Sequence, residues 1–189
     1  IVIQQTELRE SRLEMKRSAD ALLEQSHHAK RQNFESTFFQ MLNVHTGIVN
    51  AIDLINDEGA VTRGRDCFNV FYTRLNKRYR ANQKKAELGA PDIEVLSRTY
   101  AQFWAQYQVE LGHYFRFLYN VLRFIRESKY VDGPYLRLIR AQLSDQETLL
   151  IFYNCVASKH GKNFRDLAEE YSLLDNMPQI RLLNRTHVD

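Results

Sequence analysis

The chain has 189 residues, 44% hydrophobic and 12% aromatic, with a net charge of +3. That is enough apolar side chain for one core, and the mild positive balance falls short of the strongly basic signature of a dedicated nucleic-acid binder. Seven Gly and three Pro are few, which argues against many-turned β architectures and for long uninterrupted helices. Cys67 and Cys155 sit singly in apolar helical patterns, so they read as small buried residues in a reducing compartment rather than as a disulfide framework. No apolar run approaches the ~18 residues of a membrane span, and no signal-peptide pattern is present. The sequence opens on Ile1 rather than Met, which reads as a fragment preceded by further chain.

Residues 1–33 are polar, yet Leu8, Met15, Leu22 and Ala29 recur at heptad spacing. The alternate seam positions, Ser11, Ser18, Gln25 and Gln32, are polar. One apolar row and one polar row predict a weak coiled-coil stalk and a weakly held homodimer. From Phe34 the stripe widens through Phe38, Met41, His45, Ile48, Ile52 and Ile55. The stalk therefore runs on as one long helix, expected to end near Asn56–Gly59, with a turn over Asp57–Arg63.

A second helix is predicted from about Gly64 to Leu88, with Phe68, Phe71, Tyr72, Leu75 and Tyr79 on one face. Gly89-Ala90-Pro91-Asp92 stops it, and Asp92 can cap the next helix. That third helix carries Leu96, Tyr100, Phe103, Tyr107, Leu111, Tyr114, Leu118, Val121 and Ile125 in one stripe, with Gly112 as a point of bending. Asp132-Gly133-Pro134 breaks the chain, and a short helix follows to about Gln142. Ser144 with Glu147 three residues on is a capping box, which starts a helix near Asp145 and carries it to about 159. His160-Gly161 closes it, Phe164, Leu167, Ala168 and Tyr171 mark a last helix, and 178–189 reads as an irregular tail. The fold class is all-α: a long N-terminal, coiled-coil-like helix running into a bundle of about five or six helices.

Arg63, Arg65, Arg74, Lys77, Arg78, Arg80, Lys84 and Lys85 face only Asp66 over the same span. Arg74, Lys77, Arg78 and Lys85 fall on one helix face opposite the aromatic stripe, where they could neutralise phosphates of RNA or of anionic lipid. The plainer reading is a solvated face whose charges meet carboxylates on neighbouring elements. Glu24-x-x-His27 and Glu110-x-x-His113 share the di-iron bundle spacing, but Glu24 lies in the polar stalk and two further inward carboxylates are not evident, so no metal is expected. No cofactor is expected either.

Several segments stand out in order: Phe38-Phe-Gln-Met-Leu-Asn-Val-His45, Gly64-Arg65-x-x-Phe68, Gly112-His-Tyr-Phe-Arg116 with Leu118-Tyr119, Arg140-Ala-Gln-Leu-Ser144 with Phe152-Tyr153-Asn154, and Glu169-Glu-Tyr171. Together they resemble the putative phage abortive infection protein family. The resemblance runs from about Phe34 to Met177, making 34–177 the abortive-infection-like domain. It implies anti-phage defence, and N-terminal membrane helices ahead of a coiled coil, which would set this part on the cytoplasmic side of the bacterial inner membrane. It supplies no catalytic mechanism. The first reading is therefore a non-enzymatic effector or sensor that recognises a phage or host component. Arg65, His45, His113, Tyr114, Arg116, Gln142 and Asn154 are polar residues embedded in its aromatic motifs, and buried polar groups need partners, so a shared network or pocket is expected of them. The alternative is a ribonuclease. It is either HEPN-like, where the Arg-x4-6-His pattern is matched only by Arg181 and His187 in the unpatterned tail, or has an atypical site whose weak catalytic candidates are His113 and Arg116.

Overall fold

The computed structural model describes residues 2–87, 89–131, 133–158 and 161–188, with side chains from Arg9 to His187. The expected breaks at Leu88, Asp132 and His160 and the side chain of Leu8 lie outside them. Among the described residues there are six α-helices and one small hairpin: α1 (Val2–Asn50), β1 (Asp53–Ile55), β2 (Val61–Arg63), α2 (Asp66–Lys85), α3 (Asp92–Glu127), α4 (Tyr135–Gln142), α5 (Asp145–Ala157) and α6 (Lys162–Glu170). The all-α class holds.

The chain forms two compact units, residues 1–41 and 42–189. In the first, every side chain from Arg9 to Asn33 is exposed, including the apolar row Met15, Leu22 and Ala29. The second unit carries the bundle. α3 is its axis, packed against α2, α5 and α6, while α5 also packs against α2 and α6.

The α2–α3 seam is aromatic, as the 3–4 spacing predicts. Phe68 meets Tyr114 at 4.8 Å between ring centroids, and Phe71 meets Tyr107 at 5.3 Å, both edge to face. Phe71, Leu75, Leu96, Phe103 and Leu111 are fully enclosed, each contributing about 1.5–3 kcal/mol by leaving water. α5 starts as read: Ser144 accepts from the Glu147 backbone N–H while Glu147 reaches back to the Ser144 N–H at 2.8 Å.

Three local readings are corrected. α1 ends at Asn50, and the expected turn is part of a hairpin pairing Asp53 with Arg63, Leu54 with Thr62 and Ile55 with Val61. Asn56 closes its loop by accepting from Glu58 and Ala60, and Gly59 takes the positive φ of 82° that the return of the chain requires. Two three-residue strands are too short to show alternation in a sequence. The tail is not irregular: it holds two 3-10 turns, Gln179–Arg181 and Arg185–Val188, with Leu182 and Leu183 buried.

Candidate functional site

Three of the expected polar residues converge on one that the sequence offered only as a cap. Glu147, fully buried, accepts the Tyr114 hydroxyl at 3.1 Å and the Ser144 hydroxyl at 2.7 Å, and its carboxylate lies 3.3 Å from Arg65 Nε. His45 packs on Tyr114 at 5.3 Å and is itself buried, its Nε2 without a hydrogen-bond partner among the described residues. Burial holds the His45 pKa below 6.5; Glu147 opposes that shift and Arg65 reinforces it. Burial also pushes the Tyr114 phenol well above its ordinary value, with the Glu147 charge adding to it, so Tyr114 is a fixed hydrogen-bond donor. This node ties α1, α2, α3 and α5 together. Its carboxylate is satisfied by protein groups, so it organises the bundle rather than offering an open reactive group.

The open site lies on the far side of α3. Trp104, Phe115, Tyr119 and Phe164 wall a pocket of about 260 Å³, with Gly112 in its floor and Arg116, Asn154, Ser158 and Asn163 supplying polar groups. Its geometry follows from helical spacing. Trp104, Gly112, Phe115 and Tyr119 recur on one face of α3, and α6 brings Asn163 and Phe164 across from it. Gly112 matters by what it lacks: a Cβ there would stand 3.6 Å from Arg116 Nη1 and 3.9 Å from the Trp104 ring. The guanidinium thus lies back along the helix toward the tryptophan. Tyr100 backs Trp104 at 6.3 Å and 15°, and Asn154 fixes Tyr100 through a 2.7 Å bond from Nδ2 to its hydroxyl. The turn that delivers α6 needs Gly161, since any side chain would run into the Asn154 carbonyl oxygen.

The expected single network is therefore two sites. His45, Arg65 and Tyr114 share the buried node, and Arg116 and Asn154 share the pocket. His113 is exposed and lines a separate groove with Val44, Val109 and Glu110. Gln142 is half-buried, and its side chain makes no hydrogen bond to another described residue. Trp104, Phe115, Asn163, Phe164 and Glu147 were missed. The one available signal was Gly112 framed by aromatics at helical spacing.

The basic face is also narrower than expected. Arg74 donates to the Tyr107 hydroxyl at 3.1 Å and lies over its ring, and Arg78 donates to Gln106 at 2.6 Å. Both turn toward α3 rather than away from the aromatic stripe, which leaves Lys77, Lys84 and Lys85 exposed. Arg181 and His187 do not act as a pair either. Arg181 lies 3.9 Å from Asp145, while His187 Nε2 donates to Asp92 at 2.6 Å. The Tyr153 hydroxyl accepts from Leu183 N–H at 2.7 Å and sits 3.1 Å from His187 Nδ1. Asp92 also accepts from Tyr79 and Asn184; burial pushes its carboxyl up, but these bonds outweigh it and hold the pKa below the usual value. These residues fasten the tail to α2, α3 and α5.

No group of three or more His, Cys, Asp or Glu side chains among the described residues could hold a metal ion, and no helix there is long and apolar enough to cross a membrane. No curated protein and no solved structure matches the chain. A family model does, over residues 106–182, from within α3 to the 3-10 turn of the tail. It takes in Glu147 and every lining residue of the aromatic pocket except Trp104. That family is described as Putative phage abortive infection protein, and residues 106–182 are what is similar to it.

Proposed function

We propose that this chain serves bacterial defence against phage by abortive infection, as a recognition module that takes up its trigger in the aromatic pocket of α3 and α6. One observation supports this above the rest: the Gly112–Tyr119 and Phe152–Asn154 segments, both within the matched region, meet at one hollow edged by Arg116, which has no ion-pair partner among the described residues. Binding suits the site better than catalysis, because His113 and Arg116, the two ribonuclease candidates, line different hollows. The trigger is a phage or host component. The signal passes along the N-terminal helix, where the exposed row of Met15, Leu22 and Ala29 gives a second copy a weak seam. Anchoring at the inner membrane belongs to the same proposal.

The test is a phage panel on cells carrying the gene with Arg116→Ala, Gly112→Leu or no change. Protection is expected from the unchanged gene alone, with all three proteins folded and equally abundant. Protection that survives both substitutions would sink the reading.

A further inference from the structure

We infer that the aromatic pocket is a nucleotide site, with a base lying against Trp104 and Phe115 and a 5′-phosphate paired with Arg116. This rests on the reading of that pocket as the protein's ligand site, and it adds the class of ligand.

Size sets the first limit. About 260 Å³ lies just below the usual range of about 300–1,000 Å³ for ligand pockets. It admits one compact planar group with a short arm and excludes a lipid chain or a folded peptide. The walls set the second. Trp104 and Phe115 stand 5.9 Å apart at 41°, and Phe164 closes the far side of Phe115 at 6.3 Å and 68°. Trp104 is half-buried, so part of its ring is open, and its plane is held from behind by the Tyr100–Asn154 bond. A fixed, partly open indole beside further rings is the surface on which bases stack without regard to sequence.

Charge sets the third limit. Arg116 is exposed at the pocket and has no ion-pair partner among the described residues, and no described carboxylate lines the hollow. An unpaired guanidinium against an aromatic wall matches one phosphate bidentately. The side chain of Asn163 is likewise without a hydrogen-bond partner among the described residues, and an amide carries both a donor and an acceptor for a base edge. α6 opens at the same place with no side-chain cap, which adds a weakly positive end to the field without making the site by itself.

The chain carries a single tryptophan, and it is Trp104. Its emission therefore reports this hollow and the adjoining groove of Ser97, Tyr100 and Gln108 that the same ring lines, and the Arg116 variants tell the two apart. The four ribonucleoside 5′-monophosphates would be titrated into the whole protein beside the parent nucleosides, ribose 5-phosphate, inorganic phosphate and a ten-nucleotide oligoribonucleotide, with calorimetry to confirm each saturable response. At least one monophosphate is expected to quench Trp104 saturably and to bind about tenfold or more tighter than its nucleoside. Inorganic phosphate leaves the emission unchanged. Arg116→Ala lowers the affinity to that of the nucleoside, and Arg116→Lys restores part of it. Gly112→Ala weakens binding through the floor while the protein melts no lower, so a loss there is not a loss of fold.

A protein that no monophosphate quenches would overturn the inference, as would equal affinity in Arg116→Ala. Quenching by the oligoribonucleotide alone would overturn the free nucleotide and point to a strand binder. If the phage panel shows that the pocket is needed but no nucleotide binds, recognition stands and this inference falls. Nucleotide binding beside unaffected protection would do the reverse.

Discussion

Replacing Glu147 by Ala is expected to cost the bundle about 2–4 kcal/mol. The carboxylate accepts three hydrogen bonds, from the Ser144 N–H at 2.8 Å, the Ser144 hydroxyl at 2.7 Å and the Tyr114 hydroxyl at 3.1 Å, and forms an ion pair with Arg65 Nε at 3.3 Å. Losing its half of the capping box costs about 1 kcal/mol. Leaving the Tyr114 hydroxyl wholly buried without an acceptor costs about 1–3 kcal/mol more. Arg65 adds little, because its side chain is 50% exposed and its charge can return to water. At about 2–4 °C per kcal/mol for a chain of this size, the midpoint falls by roughly 4–16 °C. Thermal and urea unfolding followed by circular dichroism at pH 7 would measure it, with Arg65→Ala expected below about 1 kcal/mol. The reasoning makes a sharper claim about the pair. Tyr114→Phe in the Glu147→Ala background should recover about 1–3 kcal/mol, since a Phe ring needs no acceptor. A single-mutant cost under about 1 kcal/mol, or no recovery in the double mutant, would refute the account of the node.

Three other outcomes follow from the same geometry. Gly112→Ala should raise stability by about 0.5–1 kcal/mol, because the added methyl meets only ordinary contacts and a helical Ala is better than Gly; a drop on urea unfolding would contradict this. His45, whose pKa burial holds below 6.5, resists the proton that the unfolded chain takes up, so its share of stability is present at pH 7 and is lost as pH falls below about 6.5. Midpoints at pH 7 and pH 5.5 should therefore differ less in His45→Leu than in the unchanged protein, and an equal difference would count against this. His187→Ala removes the bond to Asp92 and the contact with Tyr153, so hydrogen exchange over residues 181–187 should quicken while α3 stays protected; unchanged exchange in the tail would mean the fastening lies elsewhere.

How far the sequence reached depended on the range of the interaction. The capping box was legible because both of its bonds join residues three apart. The helices were legible because burial repeats at 3–4 spacing, and the α2–α3 seam keeps that spacing ring for ring. The other half of Glu147's role was not legible, since its bond to Tyr114 spans 33 residues and no local pattern carries it. The tail failed for the same reason: Asp92 and His187 are 95 residues apart, and read locally Asp92 suggests a helix cap and His187 the end of an Arg-x4-6-His match, whereas the Asp92 carboxylate caps nothing among the described residues and takes His187, Tyr79 and Asn184 instead. Arg74 and Arg78 misled because a helical wheel shows which side of α2 they occupy but not that long side chains can fold across to Tyr107 and Gln106.

Gly112 shows what could have been read more closely. A glycine in the interior of a helix costs about 1 kcal/mol relative to alanine, and usually a positive φ or a close backbone explains it. Neither applies here: α3 runs unbroken from Asp92 to Glu127, the φ is not positive, and an added Cβ finds nothing nearer than 3.6 Å. Neither the fold nor the packing of α3 therefore requires it. A methyl would take space from the hollow under Trp104 and from the groove in which Arg116 lies back along the helix. A residue that stability would exchange for alanine, set where the exchange would shrink a pocket, supports the proposed reading of the pocket by an argument independent of the family match.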